Sequence, residues 1–136
     1  MPGVEPDQRP IRWVEVDPWG HAVTCLEETW AQKVRQHPEI ASHEQAIRET
    51  IRDPDALFYD PESTARRQHP TGAPRIWIVH YVSAGRTHGK QAGNFVRVVA
   101  RWEDADGGRT RVGYVHTMLL PDGVEPRLQL AWERHP

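Results

Sequence analysis

Apolar and polar residues alternate in short runs at both ends of this chain. They fall on helical spacing only in the stretch between them. Ile11, Trp13 and Val16 begin a strand-like run, Asp17-Pro18-Trp19-Gly20 has turn chemistry, and residues 21–26 supply a returning strand, which predicts an N-terminal β-hairpin. A helix is predicted over about residues 28–36, where Trp30, Ala31 and Val34 form an apolar stripe, and Pro38 stops it. Ser42 and Gln45 have the spacing of a capping box, and the helix they introduce buries Ala46, Ile47 and Ile51 before Asp53-Pro54 ends it. Leu57-Phe58-Tyr59 is a short strand ahead of a polar stretch.

Three stronger strands follow at residues 76–82, 94–102 and 111–120, the last two joined by a turn at residues 104–108 whose glycines tolerate positive φ. The connection over residues 83–93 carries Gly85, Gly89 and Gly93, which marks it as mobile or close to a ligand. Leu128, Leu130 and Trp132 alternate and predict an added edge strand. The expected architecture is α+β, with two or three N-terminal helices packed on one face of a four-stranded or larger antiparallel meander sheet. The expected division is a tail and hairpin extension over residues 1–26 and one α+β domain over residues 27–136.

Composition narrows the function classes. At 136 residues the chain can bury a core without metal or disulfide staples, and its single cysteine, Cys25, allows no intrachain bridge. No apolar run is long enough for a bilayer and the N-terminus lacks a signal-peptide design, so a cytoplasmic bacterial protein, or one delivered into a target cell, is expected. The net charge of −2 conceals an asymmetry: residues 1–62 hold 6 Lys or Arg against 13 Asp or Glu, whereas residues 63–116 hold 9 against 3. A basic middle segment could meet phosphates, or simply neutralise acidic helices packed against it. No His-Glu-x-x-His, cysteine pair or hard-metal acidic cluster is present, and no cofactor or metal is expected.

The chemistry-bearing stretch is Trp30-Ala31-Gln32-Lys33-Val34-Arg35-Gln36-His37-Pro38-Glu39, followed by a second helical segment ending Thr50-Ile51-Arg52-Asp53-Pro54-Asp55. Lys33 and His37 lie one helical turn apart and share a face. Together with Val96-Arg97-Val98-Val99 and Thr117-Met118-Leu119, these residues resemble a phage and mobile-element nuclease-fold family of the barnase–EndoU–colicin–RelE-like superfamily of metal-independent ribonucleases. The likeness spans roughly residues 27–120. The chain has Lys33 where that pattern has a first helical histidine, Gln36 where it has arginine, and Leu119 where it closes on tyrosine.

The resemblance implies a metal-independent endoribonuclease, a toxin or phage and mobile-element nuclease, that cleaves RNA by transesterification to a 2′,3′-cyclic phosphate. Its partners would be RNA and an antitoxin or immunity protein. In such a reaction His37 would serve as acid or base, Lys33 as phosphate clamp, Arg97 as the cation facing the transition state and Thr117 as a hydrogen-bond donor to phosphate. His116 is the second proton-transfer candidate, although strand alternation sends it and Thr117 to opposite faces unless a bulge intervenes. Arg101, Tyr81 and Lys90 are candidates for substrate binding, Arg101 because it shares a strand face with Arg97 and Tyr81 because it could stack on a base. Each has a plainer explanation: a helix-end histidine bonded to carbonyls, a solvated lysine, a polar outer sheet face, a half-buried tyrosine. The alternatives are a catalytically degenerate module that binds RNA or protein on the same fold, and a structural or interaction protein with an incidental cleft.

Overall fold

A computed structural model of the chain describes residues 9–61, 76–105, 110–123 and 128–134. The hairpin forms as its alternation requires, from β1 (Ile11–Val16) and β2 (Ala22–Leu26) joined by a turn in which Gly20 takes φ +86°. The chain passes directly from Leu26 into α1 (Glu27–Gln36), then through a 3-10 turn (Pro38–His43) into α2 (Glu44–Arg52). Five strands follow: β3 (Ala56–Tyr59), β4 (Ile76–Ser83), β5 (Val96–Ala105), β6 (Thr110–Leu119) and β7 (Gln129–Glu133). The polar stretch after β3, the tip of the β5–β6 turn and most of the N-terminal tail lie outside the described residues.

The architecture corrects the expected one. Among the described residues, all seven strands belong to a single sheet of order β1-β2-β6-β5-β4-β3-β7, and two α-helices accompany it, inserted between β2 and β3. The sheet is not a pure antiparallel meander, because β2 runs parallel to β6 through Val23↔Gly113 and Thr24↔Tyr114. The N-terminal hairpin is therefore one edge of the sheet. β3, by contrast, is internal, pairing with β4 on one side and β7 on the other. The physical reason for the difference is that apolar alternation assigns a face to each strand and says nothing of its neighbour.

Gly113 eases the parallel junction. A Cβ there would stand 3.0 Å from Trp102 Cδ1 and 3.2 Å from the Ala22 carbonyl oxygen, so a side chain would force the Trp102 ring and β2 back by a few tenths of an ångström.

One face of the sheet carries the main core. Trp13, Val23, Cys25, Leu57, Val79, Tyr81, Val98, Ala100, Trp102, Val115 and Met118 meet Trp30, Ile40, Ile47 and Ile51 from the helical segment. Within α1 only Trp30 is buried; Val34 is half-buried and Ala31 exposed, so the apolar stripe is narrower than its spacing implies. In α2, Ile47 and Ile51 are fully buried as the helical period requires. The expected capping box does not form. The 3-10 turn runs straight into α2, His43 becomes the N-cap, and the Ser42 hydroxyl donates back to the Glu39 carbonyl at 3.1 Å.

The sheet is strongly curled. α2 touches β5, β4 and also β1, although β1 and β4 are four places apart, about 19 Å in a flat sheet. The Tyr81 hydroxyl of β4 donates to Asp17 Oδ2, just past β1, at 2.8 Å, and Trp19 meets Trp132 of the far edge strand edge-on at 5.3 Å. Buried Glu15 of β1 is held by Arg48 at 2.6 Å and Arg52 at 3.2 Å from α2. Charge pairing thus fixes the edge hairpin to the helix that fills the curl.

Candidate functional site

β6 is irregular where β2 leaves it. Val99 pairs with Thr117 but Ala100 pairs with Val115, so His116 is an extra residue, a β-bulge. Val115 stays in the core and Tyr114 sits opposite Arg101 on the other face, while His116 is exposed. The bulge takes His116 out of the alternation that would otherwise have set it against Thr117.

Just here the β2 chain turns into α1, and a recess of about 320 Å³ opens between the two. Leu26, Thr29, Gln32 and Lys33 line it from the β2–α1 side, Arg101, Tyr114, Val115 and His116 from the sheet, and Arg9 from the segment entering β1. Three cationic side chains and one imidazole therefore share one opening. Their counter-charges are on the surface: Arg9 pairs with Glu28 at 3.2 Å and Arg101 with Glu103 at 3.0 Å, all with side chains at least 39 % exposed. Among the described residues, Lys33 Nζ donates to the neutral Gln36 Oε1, at 3.4 Å. Exposed ion pairs are weak, and an arginine can exchange a carboxylate for a phosphate in the same forked geometry. The Arg9 guanidinium stands 6.0 Å from the centre of the Tyr114 ring, which gives the recess an aromatic wall beside its charges.

Of the residues singled out from the sequence, the recess gathers Lys33, Arg101 and His116. It does not include the other five. His37 caps α1, its backbone N–H donating to the Lys33 carbonyl at 2.7 Å, and its ring faces Glu39 at 3.7 Å, outside the recess. Arg97 is 7 % exposed on β5 between Val82 and Leu119. Thr117 is half-buried opposite Val99, and Lys90 is exposed in a 3-10 turn (Gly89–Gln91) of the β4–β5 connection. Tyr81 is fully buried and cannot stack on a base. Its strand position faces the helix-side core, where burial first and the Asp17 carboxylate second push its hydroxyl far above the usual tyrosine range.

Arg9 and Tyr114 were not singled out from the sequence. Arg9 lies in a proline-flanked tail with no motif around it, and Tyr114 is one of several alternating strand aromatics. Only the register Arg101↔Tyr114 could have pointed to it.

A second cluster was also missed. His43 is buried, and its ring stacks on that of His88 at 4.1 Å with 16° between planes.

No protein-family model, curated protein or solved structure matches this chain. No described helix is long and apolar enough to cross a membrane.

Proposed function

We propose that the protein binds RNA, gripping the phosphate backbone in the recess between α1 and the β6 bulge. The observation that carries this reading is the convergence of Arg9, Lys33 and Arg101 with Tyr114 on one opening. Arginine forks match phosphate oxygens bidentately, lysine adds a mobile point charge, and an aromatic wall accepts a splayed base. The test is binding of single-stranded RNA to the whole chain across a salt series. Lys33→Ala and Arg101→Ala should each weaken binding about tenfold at low salt and lower the slope of log K against log salt by about 0.7. His37→Ala and Lys90→Ala should leave binding unchanged. Wild-type affinity in both recess variants would overturn the reading.

The cleavage reading has one specific feature in its favour, the imidazole of His116 standing in the same recess as the cations. In metal-independent transesterification the base takes the 2′-hydroxyl proton as O2′ bonds to phosphorus. The P–O5′ bond then breaks and the leaving oxygen takes that proton back from the protonated base. His116 would be that base, with Lys33 and Arg101 balancing charge on the phosphorane. Loss of one such cation costs about 3 kcal/mol in the barrier. A toxic cutter of this kind would need an inhibitor protein over the recess. Incubation with RNA in chelator separates the readings: products ending in 2′,3′-cyclic phosphate, lost in His116→Ala with binding retained, mark an endoribonuclease, and bound but uncut RNA marks a binding domain. RNA neither bound nor cut returns the chain to the interaction-protein alternative.

A further inference from the structure

The outer edge of β1 carries main-chain groups that the fold does not use. The Asp17 N–H donates to the His21 carbonyl at 2.9 Å, and the register runs on through Glu15↔Val23 and Trp13↔Cys25. Bonded and non-bonded pairs alternate along an antiparallel ladder, so Asp17, Glu15 and Trp13 bond to β2. Val14 and Val16, opposite Thr24 and Ala22, therefore turn their N–H and C=O groups away from it. Among the described residues no strand lies beyond β1 and no backbone hydrogen bond from another segment reaches these four groups. The curl does not cover them. Trp19 meets Trp132 beyond the end of β1, past Pro18, and β1 and β7 are not hydrogen-bonded neighbours.

The side chains leave the same edge open. Val14 and Val16 are 45 % and 54 % exposed, on the face opposite the one where Trp13 and Glu15 are buried against α2. Residues 13–17 contain neither the lysine nor the proline that commonly keeps an edge strand from pairing. Their inward charge near the centre, Glu15, is neutralised by Arg48 at 2.6 Å and Arg52 at 3.2 Å. The usable edge is short. Pro18, two residues on in the outward phase, has no N–H to donate, and a register irregularity between Ile11 and Trp13 interrupts the strand on the other side.

So short an edge matches itself. Val14-Glu15-Val16 reads the same in both directions, so an antiparallel second copy meets it in register about Glu15. We propose that the protein associates as a two-fold dimer through β1, with each Val14 opposite Val16 of the second copy. Every such pair exchanges two main-chain bonds, which engages all four outward groups of each chain, and valine meets valine on the open face. The two Glu15 carboxylates then stand opposite each other on the helix face. Their repulsion would oppose this register were each not already held between two guanidiniums. The inference is independent of the RNA reading.

The test is sedimentation equilibrium of the whole chain at concentrations up to about 1 mM, where even a short interface is populated. The mass should rise toward twice that of one chain. Val14→Lys places on the edge the charge that blocks natural edges and should weaken association at least about tenfold. Leu130→Lys on β7, an exposed site on the other edge, should leave it unchanged. Slow reaction of the buried Cys25 thiol checks that each variant is folded. If Val14→Lys does not fold, engineered thiols give the second reading. Val14→Cys and Val16→Cys chains, mixed and oxidised, should form a disulfide between unlike chains, because Cα atoms in a bonded pair stand about 5.5 Å apart. A chain monomeric throughout the series, a dimer indifferent to Val14→Lys, or no bridge between the unlike chains would overturn the pairing.

Discussion

Cys25 shows how a single side chain reports the fold around it. Alternation places it on β2, and its partners on the covered face leave it 0 % exposed. Burial pushes its thiol up to about 12, with Glu44 adding to the shift and Arg12 opposing it. A raised thiol pKa means the folded state prefers the neutral form. That preference contributes stability at neutral pH and is lost as pH climbs past the free-thiol value of ~8.5 toward the folded one. Cys25 should therefore react with a disulfide reagent at pH ~8 at least about 100-fold more slowly in native protein than in denaturant. Equal rates would mean the strand is open. That Cys25 lies on a strand was legible from its neighbours. The fate of Tyr81 was not, because its acceptor Asp17 lies 64 residues away in sequence and comes close only when the sheet curls. Nor was the exposure of His116, which depends on one unpaired residue in a register that no local pattern encodes.

At the scale of elements, α1, α2 and β1 are joined through Arg12. Its guanidinium bonds both oxygens of Glu44, reaches Glu27 at 3.2 Å and lies 4.8 Å from the Trp30 ring. The Arg12 hydrogen bond, more than any other influence, holds the Glu44 carboxyl below its usual range. A depressed carboxyl stabilises the fold above the unfolded value of ~4.3, and this contribution disappears as pH falls through the folded value. Because the Arg12 and Glu44 side chains are 34 % and 28 % exposed, solvent screens the pair. Glu44→Gln should lower stability at pH ~7 by about 0.5–1 kcal/mol in urea unfolding, and the gap should close toward pH ~3. A gap that persists in acid would assign the loss to packing. The two helices themselves were readable from period and proline stops. Their start was misread at Ser42, whose hydroxyl is drawn back to Glu39 by the 3-10 turn.

For the whole molecule the decisive feature is closure. Trp19 belongs to the turn beyond one sheet edge and Trp132 to the opposite edge strand, yet their rings meet. A double-mutant cycle of Trp19→Ala and Trp132→Ala should give a coupling of about 0.5–1.5 kcal/mol, and strict additivity would show that the edges are not joined energetically. Curling also lets one helix serve β1, β4 and β5 together. The recess follows from the same topology: β2 can leave β6 and become α1 only because the two strands run parallel for two residues and then part.

Local order was therefore written into the chain. Two-residue alternation set the strands, 3.6-residue spacing set α1 and α2, prolines and glycines set their ends, and together these determine which side of each element is apolar. Tertiary structure decided the neighbours. Strand order, the parallel β2–β6 seam, the bulge at His116 and the meeting of Arg9, Lys33 and Arg101 depend on contacts between residues far apart in sequence. A period tells a side chain which way to face, but what it faces is settled only when the sheet closes around its core.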